Sequence, residues 1–119
     1  MTHSLPAFSS KRFAPAVGQA FSWRVFELTG TVAAIKMTLT KLVLRPSPAH
    51  AEQFSLLFVG PSDAALEQGT YTISNDVTGA EAVFAVPIGP DASGLRQYEV
   101  IVSRELEAWE VAVAGSGSA

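Results

Sequence analysis

From Phe21 onward the apolar residues recur at every second position, and no longer stretch carries a helical period. A period of two places successive side chains on opposite faces, so the chain is confined to sheets with one buried face. The constraint is sharpest in residues 31–45. There Ile35, Met37 and Leu39 alternate with Lys36, Thr38 and Thr40, after which the apolar set moves to Leu42 and Leu44. Because a one-residue slip turns every following side chain to the other face, the parity switch at Lys41 predicts a β-bulge. A strand bent in this way suits a sheet that curls into a barrel.

Further strands are predicted at 53–59 (Phe54, Leu56 and Phe58 inward), 69–74 (Tyr71, Ile73), 82–88 (Phe84, Val86, Ile88), 97–104 (Tyr98, Val100, Val102) and 108–113 (Trp109, Val111, Val113). Between them, Gly60-Pro61-Ser62-Asp63, Asn75-Asp76, Thr78-Gly79 and Gly89-Pro90-Asp91 through Gly94 combine Pro, whose φ is fixed, with Gly or Asn, which tolerate positive φ. Pro87 lacks a ladder donor, so its strand should lie at an edge or carry a bulge. Ahead of the strands, Ser9 offers a helix cap, Phe13 and Val17 an apolar pair, and Gly18 a stop, with Pro15 limiting the helix to a turn or two. The expected fold is all-β: a small antiparallel β-barrel or β-sandwich of six to seven strands with a short N-terminal helical turn near residues 10–18. Residues 1–7 would form an extension, 8–113 one β domain, and 114–119 a flexible Gly/Ser tail. Gly60 to Gln68 and Gly89 to Gln97 share Gly-Pro-x4-Leu-x-Gln at an offset of 29 residues, which predicts two similar loops side by side.

At 119 residues with 48% hydrophobic content, a core can hold the domain without disulfides, and there is no Cys to make one. The net charge of −3 argues against a nucleic-acid partner, which needs clustered Lys and Arg. The longest apolar run, 82–88, is far short of a membrane span, and the N-terminus lacks the charge-then-apolar pattern of a secretory leader. A cytoplasmic protein is therefore expected, either free or built into a virion-like or secreted assembly. Charge is unevenly placed. Residues 1–60 hold six basic and two acidic residues, a balance of +4, whereas 61–119 hold two basic and nine acidic, a balance of −7. Opposite charges on neighbouring strands would pair within the chain, and any remainder would orient copies head to tail in a homo-oligomer.

Catalytic equipment is sparse. His3 and His50 are read as solvated loop residues, and neither a Gly-x-Ser-x-Gly elbow nor a phosphate-binding glycine loop occurs. The stretch from Asp91 to Gly94 lacks the alternating acidic ligands of a calcium loop and is read as a hairpin turn. Glu105, Glu107 and Glu110 are read as the solvated side of the last strand with Trp109 packed inward, and Trp23 as a second buried indole. The least poor catalytic pair, Glu99 with Asp91, has no supporting motif. No catalytic, cofactor-binding or metal residue is assigned, and no cofactor is expected. The chain is not expected to be an enzyme.

The central block reads Phe54-Ser55-Leu56-Leu57-Phe58-Val59-Gly60-Pro61, Leu66-Glu67-Gln68-Gly69-Thr70-Tyr71, Phe84-Ala85-Val86-Pro87-Ile88-Gly89 and Tyr98-Glu99. It resembles a family of short bacterial proteins of unknown function that share Phe-Ser-Leu-x-Phe-x-Gly-Pro, Leu-x-Gln-Gly-x-Tyr, Phe-x-Val-Pro-x-Gly and Tyr-Glu, over roughly residues 8–104. The resemblance implies an origin near phage-tail-collar-like genes, and so a structural or assembly protein with partners in a tail-like or filament system. It supplies no catalytic residue. Within the pattern, Ser55 and Gln68 are expected as buried hydrogen-bonding partners, and Glu99 as the partner of Lys36 or Arg45. The alternative is a small-ligand-binding barrel with Tyr71, Tyr98 or Trp23 facing a cavity.

Overall fold

The computed structural model describes residues 6–26, 30 and 32–111. His3, Val113 and the tail at 114–119 lie outside the described residues. A helical turn, α1 (Ser10–Phe13), runs into a 3-10 turn at Ala14–Ala16. Six strands follow: β1 (Ala20–Phe26), β2 (Val32–Arg45), β3 (Ala51–Gly60), β4 (Gly69–Asn75), β5 (Gly79–Pro90) and β6 (Arg96–Glu105). They close an antiparallel barrel in the order β1-β2-β3-β6-β5-β4. Among the described residues, no helix is long and apolar enough to cross a membrane.

The bulge predicted in β2 is present, and of the two alternatives for the Pro87 strand a bulge beside Pro87 is found. Leu39 pairs with Phe58 and Lys41 with Leu57, which leaves Thr40 as the extra residue that reverses parity in β2. Pro87 pairs with Tyr98 and Gly89 with Gln97, so Ile88 is extra in β5, and Gly89 takes a φ of 98°. The missing Pro87 donor is thus accommodated at a bulge between two paired strands. Ser9 caps α1 as expected, its Oγ accepting from the Arg12 N–H at 3.1 Å.

Some expectations fail. Residues 108–111 form a helical turn where a strand is expected, so the described residues hold six strands, the lower of the two expected numbers. The cause is local: the Glu107 N–H donates to the Glu110 carboxylate at 2.7 Å, and the Glu107 carbonyl accepts from the Val111 N–H at 3.1 Å. The first bond is one half of a capping box with Glu107 as the cap, the second is the first helical hydrogen bond, and together they favour a helix start. Leu44 has the inward parity that the bulge gives it and stands opposite the fully buried Phe54, yet it is 66% exposed. Val17 is also exposed. The two Gly-Pro loops are not equivalent either. The second closes the β5–β6 hairpin, while the first carries the chain from β3 to β4, which are not neighbours in the barrel.

Candidate interaction surface

Large side chains fill the barrel. Trp23 on β1 lies 5.1 Å from the Phe58 ring, 5.5 Å from Tyr71 and 5.6 Å from Tyr98 between ring centroids. These aromatic rings pack on one another. Phe13 of α1 reaches in from one end against Phe21 and Phe54. At the far end of β3, loop 61–68 is pinned by Tyr98, whose hydroxyl donates to the Ala64 carbonyl at 2.9 Å and accepts from the Leu66 N–H at 3.0 Å. Leu66 packs on the core beneath it. Tyr71 is half-buried. Its burial, then the nearby Tyr98 and Glu67, hold its phenol above the ordinary range.

A polar cluster ties α1 and the 108–111 turn to one end of the barrel. Glu52 on β3 accepts from the Ser10 N–H at 2.8 Å and the Ser10 hydroxyl at 2.9 Å, and it lies 3.3 Å from Arg104 on β6. Arg104 also grips Glu110 with both Nη groups, at 3.1 and 2.7 Å. Such a bidentate pair is among the stronger hydrogen-bonded contacts. The Arg104 hydrogen bond pulls the Glu110 carboxyl below its ordinary range, and Glu110 in turn raises the Arg104 guanidinium. Glu110 is therefore a largely buried partner and not part of a solvated strand face. Trp109 is half-buried on the same turn, with its indole N–H on Glu107 at 2.6 Å, so the expected inward packing in a strand does not occur.

The largest departure from expectation is the parity of β5. Val83 and Ala85 face the core at 5% and 0% exposure, while Phe84, Val86 and Ile88 face outward at 54%, 36% and 47%. Neighbouring strands extend this apolar outer face. Val43 on β2 stands opposite Ser55 on β3, which stands opposite Ile101 on β6, and Ile101 and Phe84 line the same groove. Ile101 is 60% exposed. The period-two pattern of 97–104 names only Tyr98, Val100 and Val102, so the outward position of Ile101 carried no signal of its own. Beside this face Arg45 reaches across β3: its Nε–H donates to the buried Ser55 hydroxyl at 2.6 Å and its Nη2 lies 3.5 Å from Glu99. Of the two partners proposed for Glu99, Arg45 is the one found.

The remaining residues of the sequence pattern serve the fold. Phe54, Leu56 and Phe58 are fully buried on β3. Gly60 is buried, and glycine is required there because a Cβ would collide with the Met37 sulfur. Pro61 opens the crossing loop and accepts from the Ala64 N–H at 3.2 Å. Gly69 starts β4. Gln68, expected to be buried, is exposed on the loop, since Tyr98 supplies the bonds that hold that segment. Asp91 is engaged in its own turn, accepting from the Ser93 hydroxyl and from the Ser93 and Leu95 N–H groups, which together keep its carboxyl low. Among the described residues, no group of three His, Cys, Asp or Glu is gathered as a metal site would need.

Residues 8–102 match a family model described as a domain of unknown function (DUF6916). No curated protein and no solved structure matches the chain.

Proposed function

We propose a non-enzymatic assembly role for this chain, which belongs to the DUF6916 family of domains of unknown function. Its working surface is the outer face of β5 and β6. The observation that carries this reading is the placement of Phe84, Val86, Ile88 and Ile101 outside a barrel whose interior is already full. A contiguous exposed apolar patch on a small soluble domain marks a contact with another macromolecule. Lone exposed apolar residues would mean little, but these four lie on two paired strands.

The finer proposal is that the partner belongs to a phage-tail-like or collar-fibre system, as the resemblance of the central block implies. Co-purification of the tagged chain under native expression tests it, alongside a Val86→Lys/Ile88→Lys variant. We expect recovery of a tail, fibre or filament component by the unaltered chain and its loss with the variant. Recovery of none, or recovery that the variant leaves unchanged, would overturn the proposal.

A further inference from the structure

The ladder between β5 and β6 pairs residues 85–90 with 96–100 and then ends. Beyond it, residues 79–84 pair only with β4 and residues 101–105 only with β3. In an antiparallel strand, alternate residues aim both backbone polar groups to the same side. Each stretch therefore turns a row of N–H and C=O groups toward the other strand, with no ladder partner there among the described residues. Between the two rows lies a groove of about 240 Å³. Val83, Val100 and Val102 form its floor, and Phe8 from the segment before α1 lies in it against the core. Arg104 lines the groove as well, and its buried Nε–H has no acceptor among the described residues.

Unpaired edges invite strand addition, and natural sheets usually blunt them. Here the blunting is partial: one phenylalanine side chain and the half-buried Glu81, which shares the inward face with Val83. The charge around the groove is acidic by a small excess. Glu81 and Glu105 stand on the two stretches and Glu52 and Glu110 engage Arg104, while the cations near them are Arg104, Lys11, which helps hold the Glu110 carboxyl low, and Arg12, which donates to the Thr78 carbonyl at 3.4 Å.

We propose that this seam receives an extended segment of a partner polypeptide by strand addition, with apolar residues at alternate positions and Lys or Arg between them. The proposal rests on the reading that this face of the barrel meets protein, and it names the mode and the chemistry. Main-chain bonds to the free edges supply affinity, while the apolar floor and acidic rim select the sequence. At roughly 3.3 Å per residue, the stretch from 79 to 84 accommodates a segment of about six residues.

The test uses the full chain, isotope-labelled, and two capped hexapeptides, one alternating Lys with Val and the other Glu with Val. The Lys/Val peptide should shift the amides of 79–84 and 101–105. It should also slow their exchange by about tenfold at ten times its Kd, with the Glu/Val peptide silent. Phe84→Lys/Ile101→Lys, both at exposed positions, should abolish the response while the spectrum stays dispersed. Equal response to both peptides, or none at millimolar peptide, overturns the proposal. Shifts confined to Val86 and Ile88 overturn strand addition and leave the docking face standing. A doubled mass without peptide would make the occupant a second copy and overturn it too. Loss of co-purification with the Val86→Lys/Ile88→Lys variant bears on the docking face alone, so the two failures are distinguishable.

Discussion

If β5 turns Phe84 outward and Val83 inward, the smaller chemical change should do the greater damage. Val83→Thr exchanges one methyl for a hydroxyl at almost constant volume, at a site only 5% exposed. An unpartnered buried hydroxyl costs about 1–3 kcal/mol, and the pair is not isosteric in energy for that reason. Phe84→Thr removes a whole ring, but the ring is 54% exposed. Since full burial of such a side chain is worth about 1.5–3 kcal/mol, the remaining contact is worth about 1 kcal/mol, and the β-branched replacement returns some of it through strand propensity. Urea unfolding of the two variants should therefore rank Val83→Thr as the less stable, by about 1 kcal/mol or more, with unchanged m-values. In heat this is a separation of about 4 °C. If Phe84→Thr unfolds first, the ring lies in the core and the outward face does not exist.

Gly60→Ala should cost about 1–3 kcal/mol by overpacking against Met37 and should cost little in a Met37→Ala background, so that chemical denaturation of the double variant is non-additive. Tyr98→Phe strands the Ala64 carbonyl and the Leu66 N–H, and a loss of about 1–3 kcal/mol with earlier proteolysis in loop 61–68 is expected. Arg45→Met should cost about 1–3 kcal/mol in urea unfolding, because the buried Ser55 hydroxyl loses its partner, while the solvent-exposed pair with Glu99 adds little. The Glu110 carboxyl is depressed in the folded state. Its contribution is thus complete above its ordinary 4.5 and fades as pH falls through the lowered value. Trp109 fluorescence should report that release below 4.5 as the 108–111 turn detaches, and Glu110→Gln should remove the transition.

Where polar and apolar residues alternate cleanly, the sequence was sufficient. In β2 the change from Met37 and Leu39 to Leu42 located the bulge to within one residue, because Lys36, Thr38 and Lys41 mark the other face. In β3 and β6, Phe54, Leu56, Phe58, Tyr98 and Val100 are buried as their parity requires. In β5 residues 82–88 are apolar throughout, so both faces read as interior and size alone chose between them. That choice failed because the space opposite is occupied by Trp23, Tyr71 and Tyr98, and a barrel of this size balances large side chains on some strands with small ones on others. Ala85 fits there and Phe84 does not. The strand order was beyond local patterning altogether. Pairing β3 with β6 depends on which hairpins meet around the closed sheet, which no single segment encodes.

The same packing demand accounts for the surface. Once β1, β3 and β6 commit their rings to the interior, β5 must turn its small residues inward, and an apolar strand with alternating sizes then has its large residues outside. Selection for packing alone would be met by polar residues at 84, 86 and 88, as Thr70 and Thr72 illustrate on the adjacent outer face of β4. Keeping Phe, Val and Ile there is a separate commitment, made beside the place where the β5–β6 ladder ends. The bulge at Ile88 lies at the hairpin end of that ladder, six residues of β5 remain unpaired toward β6 at the other, and the apolar side chains span the interval. An extended segment laid along the seam would bury Phe84 and Ile101 at its borders while it completes the ladder. Exposed side chains and open backbone would then be answered by a single contact.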